Sequence, residues 1–116
     1  MPYDYDDQNI FARILRGELP CDTVMESERS LAFRDLYPQS PEHVLVIPKG
    51  RYVCYDHFAN EATDAEIIDY TRLIGSVISE IGAELNVSDG YRLIANSGVN
   101  AIQDVPHLHV HVLAGS

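Results

Sequence analysis

His107-Leu108-His109-Val110-His111-Val112-Leu113 carries three of the chain's five histidines, each separated from the next by an aliphatic residue. Strict alternation is the period of a β-strand, in which successive side chains point to opposite faces. The three imidazoles are therefore expected to line one face, with Leu108, Val110 and Val112 turned into a core. At about 3.3 Å of rise per residue, neighbouring rings on that face would sit roughly 6–7 Å apart. A strand that only packs has no use for a titratable ring at every other position. The row looks built to face a substrate. A purification tag would not interleave valine and leucine. A metal site could take two ligands at i and i+2, but a ligand at i+4 lies too far along a straight strand. Cys21 and Cys54 also form no closely spaced pair of the kind zinc recruits. Phosphoryl chemistry fits the pattern best.

Outward from this stretch, Tyr91–Asn96 reads as a strand, Ser97–Asp104 as a loop, and Val105–Leu113 as the histidine strand itself. Upstream, Thr63-Asp64-Ala65-Glu66 is a capping box, in which threonine and glutamate satisfy free N–H groups at a helix start. The helix should run to about Leu85, with Ile67, Tyr70, Ile74, Val77, Ile78, Ile81 and Leu85 on its core face, before a turn at Ser88-Asp89-Gly90. A short helix is expected at about Asn9–Arg16, closed by Gly17. Thr23–Glu26 and Leu31–Arg34 form a hairpin, and His43–Ile47 is a strongly apolar strand closed by Pro48-Lys49-Gly50. Residues 51–62 carry no clear pattern, and their aromatics are expected to pack as a loop. This order implies an α+β fold: an antiparallel sheet covered on one face by one long helix, with a short N-terminal helix. Residues 1–7 form a flexible arm and 8–116 a single domain.

The composition narrows the function. The 116 residues carry a formal net charge of −10, which opposes binding to polymeric nucleic acid but not to a small nucleotide in a local pocket. No apolar run approaches the roughly 20 residues of a membrane span. The polar, acidic N-terminus is no signal peptide, and two distant cysteines suit the reduced cytoplasm. Neither GxxxxGK[ST] nor GxGxxG is present.

A neutral imidazole attacks phosphorus well near neutral pH, turning one displacement into two through a phospho-histidine. The central His109 is the natural nucleophile, flanked by His107 and His111, which would orient it or donate to phosphate oxygens, with protonated histidine supplying positive charge. Asn96 and Gln103 offer amides, and the N–H groups of Ile102, Gln103, Asp104 and Val105 could form an oxyanion cradle. No cofactor is expected, and a metal on the histidine face is the lesser reading. His43 opens an apolar strand near the row; read alone, it is structural. His57 has no visible partner and reads as structural or surface.

These residues resemble the histidine-triad (HIT) nucleotide-binding proteins, most closely their Hint branch. The resemblance rests on His107 to Gly115, on Asn9 to Pro20, on Leu31 to Lys49 and on Tyr91 to Asn96, and covers about residues 8–115. It implies a homodimer whose sheets join across a two-fold axis, and metal-independent release of a purine nucleoside monophosphate (AMP or GMP) from phosphoramidate-type substrates through a nucleotidyl-histidine. It assigns His109 as nucleophile, His107 and His111 as its flanking histidines, and His43 as a fourth, supporting histidine. It places Asp35 on the ribose hydroxyls and Ile10, Phe11, Ile14, Phe33, Leu36 and Leu45 around the base. Two other roles remain open: hydrolysis or transfer on dinucleoside polyphosphates or nucleotide sugars, and a nucleotide-binding interaction protein with vestigial turnover. Ala101-Ile102-Gln103-Asp104 departs from the usual glycine pair followed by glutamine and a small polar residue. Ile102 narrows backbone freedom there. Asp104 puts a carboxylate beside the phosphate, which should favour a cationic amine as leaving group.

Overall fold

The computed structural model describes residues 3–85 and 90–115. Ser88 and Asp89 of the expected turn, and the side chain of Leu85, lie outside the described residues. Five strands, β1 (Thr23–Glu26), β2 (Ser30–Arg34), β3 (Glu42–Pro48), β4 (Tyr91–Ile94) and β5 (Val110–Ala114), form one sheet in the order β1-β2-β3-β5-β4. Every neighbouring pair is antiparallel, as the α+β reading requires. The last strand is therefore inserted between β3 and β4, which brings the histidines to the middle of the sheet.

Three helices accompany the strands: α1 (Ile10–Leu15), α2 (Tyr55–Glu61) and α3 (Asp64–Leu85). The Asn9 side chain caps α1 by accepting the Ala12 N–H at 2.8 Å, and Gly17, at φ +79°, takes the left-handed turn that ends it. The capping box of α3 forms as read. Thr63 Oγ1 accepts the Glu66 N–H at 3.1 Å, and Glu66 Oε1 accepts the Thr63 N–H at 3.0 Å.

Both faces of the sheet are covered. On one, Tyr70, Leu73, Val77 and Ile81 of α3, with Phe58 of α2, pack on Ala32, Val44, Val46, Leu108, Val110 and Val112. On the other, Phe11 of α1 joins Leu31, Phe33, Leu45 and Ile47. All seven positions of β3 are consequently buried. Each such aliphatic side chain contributes roughly 1.5–3 kcal/mol of transfer free energy.

Four expectations change. Residues 55–61 form a helix, not a loop; Cys54 makes no side-chain cap bond and only His57 and Phe58 are buried, so neither a start signal nor an apolar stripe marks it. Strand β4 stops at Ile94, short of Asn96. The histidine strand begins only at Val110, because the Leu108 N–H donates to the Tyr52 carbonyl at 2.8 Å instead of to β3. Its alternation nevertheless persists through Leu108. Finally, the arm is fastened from Tyr3 onward: the Tyr3 ring stacks on His57 at 4.2 Å, which gives that histidine a partner, and Arg51 holds Asp7 at 2.9 and 3.0 Å.

Candidate functional site

His111 lies on β5 opposite Leu45 of β3 and Ile94 of β4. His43 is two residues before Leu45 on β3, so both rings emerge on the face beneath α1. Their nitrogens meet there, His43 Nε2 and His111 Nδ1 lying 2.9 Å apart. His109 follows on the same side, its ring 5.0 Å from those of His111 and Phe11.

Backbone groups, which can act in one direction only, decide where the protons sit. The Gln39 N–H donates to His43 Nδ1 at 2.9 Å, so His43 carries its proton on Nε2. That Nε2–H donates to His111 Nδ1, leaving the His111 proton on Nε2. The His107 carbonyl accepts at 2.8 Å from His109 Nδ1, so Nδ1 holds the His109 proton and Nε2 presents a free lone pair. The Pro48 carbonyl accepts from His107 Nε2 at 2.8 Å, and His107 Nδ1 faces the Tyr5 hydroxyl at 2.5 Å. Four imidazoles thus have four assigned tautomers.

The same burial keeps three of the rings neutral. Desolvation pushes His107 down to about 4, with the Pro48 carbonyl opposing it. His111 also falls to about 4, first through burial and then through its His109 and His43 neighbours. His43 is lowered by burial against the opposing charge of Asp35. Hence these three rings carry no standing positive charge at neutral pH.

Two cavities flank the row. A cavity of about 360 Å³ is walled by Ile10, Phe11, Ile14, Phe33, Asp35, Leu36, Leu45, Asp104 and Val105, with His109 at its edge. Pro20, Cys21, Asp22, Arg34 and Tyr37, which the sequence reading missed, complete it. The first three adjoin the opening helix and the last two adjoin Asp35, so proximity to named positions was the only signal. A more polar cavity of about 530 Å³ holds His43 and His111 with Asn96, Ile102 and Asp104, and adds the unforeseen Gln39, Ser40 and Arg92. Asp104 borders both.

Two of the sequence-named residues face neither cavity. His107 is fully buried, so it contributes through its carbonyl and its packing and not through contact with a phosphate. Gln103 turns its carboxamide inward, donating to the Val53 and Val105 carbonyls at 2.6 and 3.0 Å and accepting the Gly98 N–H at 3.0 Å. It holds the loop. Of the expected cradle, the Ile102 and Gln103 N–H groups are spent on Val99 and Gly98 at 3.1 and 3.0 Å, which leaves Asp104 and Val105. Ile102 keeps the left-handed conformation, φ 57° and ψ 55°, despite its β-branched side chain.

Asp35 Oδ1 accepts the Tyr37 N–H at 2.9 Å, and Oδ2 lies 3.5 Å from His43 Nε2. Asp35, His43 and His111 bring ligand atoms within 4.8 Å of one another. A cation there would have to break the His43–His111 hydrogen bond. Among the described residues, no helix is long and apolar enough to cross a membrane.

Comparisons with known proteins bear on the family of the chain. The HIT domain profile matches residues 16–116. An uncharacterised 13.2 kDa HIT-like protein of Azospirillum brasilense is 53% identical over 115 residues, spanning 99% of this chain and 92% of its own. Among solved structures, a HIT family hydrolase from Legionella pneumophila superposes with a TM-score of 0.78 at 33% identity, covering 94% of each chain. The histidine triad nucleotide-binding protein of Candida albicans gives 0.81 at 26% identity, over 94% of this chain and 76% of that one. A profile match across most of the length, a half-identical relative and a shared fold lead to one conclusion: the chain belongs to the HIT family.

Proposed function

We propose that this chain is a Hint-type hydrolase that releases a purine nucleoside monophosphate from phosphoramidate-type substrates by way of a nucleotidyl-histidine. The observation that carries the reading is the His109 tautomer. Its Nδ1–H is committed to the His107 carbonyl at 2.8 Å, so Nε2 offers a lone pair at the edge of the apolar cavity. A nucleoside suits that cavity: Phe11, Phe33 and Leu45 offer apolar walls for a purine, and Asp35 can accept both ribose hydroxyls.

The phosphate then lies against the histidine row. An anion beside His43 and His111 offsets the burial that keeps them neutral, so the pair takes up a proton on binding. His109 Nε2 attacks phosphorus and the P–N bond breaks. The amine leaves into the second cavity with the proton from the His43–His111 pair. Water attacks the nucleotidyl-histidine and passes one proton to the His43–His111 pair, the bond from phosphorus to His109 Nε2 breaks, and the nucleoside monophosphate departs with His109 back in its starting tautomer. Asp104, at the border of the cavities, favours an amine over an anionic leaving group. A second copy of the chain is the expected partner: exposed Tyr91 and Leu93 lie on β4, an edge strand of the sheet.

The test is AMP release, with chelator present, from adenosine 5′-phosphoramidate and separately from a dinucleoside polyphosphate. Rapid release from the phosphoramidate alone supports the reading. His109→Ala should abolish release and still bind AMP. Release from the dinucleotide alone moves the chain to another HIT activity, and release from neither leaves a nucleotide-binding protein.

A further inference from the structure

The N-terminal arm reaches the back of the histidine row. Its Tyr5 hydroxyl lies 2.5 Å from His107 Nδ1, across a sequence separation of 102 residues. The other His107 nitrogen donates to the Pro48 carbonyl, so Nδ1 is an acceptor and the phenol must be the donor. Asn9 Nδ2 donates to the Asp6 carbonyl at 2.7 Å, next to Tyr5 in the arm. The same Asn9 caps α1, so the arm and the helix are set in one register.

The Tyr5 ring is itself held. The Arg51 guanidinium lies over it at 5.0 Å, and Arg51 is fixed by Asp7 at 2.9 and 3.0 Å. Arg16 holds the Asp7 carbonyl at 2.8 Å. Asp7, Arg16 and Arg51 thus hold the ring that presents one hydroxyl to one buried nitrogen.

We propose that Tyr5 is a positioning residue: its hydroxyl locks the His107 ring, and with it the His107 carbonyl that aims His109. The dependence on turnover rests on the hydrolytic reading above; the hydrogen bond does not. His107 lines neither cavity and is wholly buried, so without the phenol its Nδ1 would have no donor and the ring would be held by the Pro48 carbonyl alone. The carbonyl 2.8 Å from His109 Nδ1 belongs to the same residue. Freeing the ring therefore loosens the nucleophile and leaves both cavities untouched.

Tyr5→Phe keeps the aromatic ring over which Arg51 sits and removes only the hydroxyl. Imidazole nitrogen NMR on the intact wild-type chain should show His107 protonated at Nε2, with an unprotonated, hydrogen-bonded Nδ1 coupled to a protected tyrosine hydroxyl proton. In Tyr5→Phe the Nδ1 resonance should move, and kcat for AMP release should fall about tenfold with KM unchanged. Tyr3→Phe removes a hydroxyl from the same arm that points instead to Asp56, and should alter neither quantity. Unchanged kcat and an unchanged Nδ1 resonance in Tyr5→Phe would overturn the proposal, as would an equal loss in Tyr3→Phe. If Tyr5→Phe fails to fold, the wild-type spectrum decides, since absence of the coupled hydroxyl proton is sufficient to refute it. If wild-type protein releases no AMP, the hydrolytic reading fails while the resonances still test the contact.

Discussion

Acidification from pH 7 to pH 5 should weaken the fold through one ring in particular. His107 is fully buried as a neutral imidazole, with a pKa of about 4 against 6.5 for the unperturbed side chain. The unfolded chain therefore binds this proton more readily than the folded one. The stability that the ring contributes is fully present above about pH 6.5 and is lost as the pH falls from there toward 4. The gap corresponds to about 3 kcal/mol at 1.36 kcal/mol per pH unit. Two-site linkage places about 2 kcal/mol of it between pH 7 and pH 5. His111 and His43 are displaced in the same direction, so the whole protein loses more than His107 alone accounts for. The carboxylates held low, Glu18, Asp56 and Glu66, give up their contributions chiefly below about pH 4.5, outside this window. His107→Gln isolates the ring, since glutamine can donate to Pro48 but does not titrate. Urea unfolding of both proteins at pH 7 and pH 5, at one fixed protein concentration, should show wild type losing about 2 kcal/mol more than the variant. Equal losses would mean that His107 is not held neutral by burial, and the tautomer assignments built on it would fall.

Two further perturbations probe other parts of the structure. Leu108→Ala removes a side chain that is 1% exposed in the main core, and should cost about 2–5 kcal/mol in urea unfolding; a loss below about 1 kcal/mol would remove Leu108 from that core. Ile102→Gly should stabilise by on the order of 1 kcal/mol, because relief of the left-handed strain exceeds the added freedom of the unfolded chain and the side chain is 78% exposed. A lower urea midpoint would show that the Ile102 side chain holds the loop.

The continuous apolar run of β3 and the three-four pattern of α3 made those elements readable, and the capping box fixed where α3 begins to within a residue. Short-range signals of this kind are carried by neighbours in the chain. The misreadings share the opposite property. Helix α2 buries only His57 and Phe58 and begins at a cysteine that does not cap it, so nothing local announces it. The alternating histidines suggested an open face, yet His107 and His109 are buried because α1 and the arm cover them. That cover comes from about a hundred residues away. The role of Gln103 was misassigned for the same reason: a glutamine before a histidine row looks available until the Val53 carbonyl, 50 residues earlier, is brought against it. Seven residues named through family likeness, Asp35 and the six apolar ones, lie together in the wall of one cavity with His109.

The groups that place the protons in this site are mostly not side chains. The Gln39 N–H, the Pro48 carbonyl and the His107 carbonyl each force one tautomer, and all three belong to the main chain. A point mutation exchanges side chains but deletes neither an N–H nor a carbonyl, apart from the loss of an N–H to proline. The choice of tautomer is thereby insulated from most single substitutions. On the proposed hydrolytic reading, cavity walls such as Leu36, Tyr37 or Ile102 can be exchanged to admit a different base or leaving group while His109 keeps its tautomer. Such a site can drift in what it accepts without having to rediscover how it reacts.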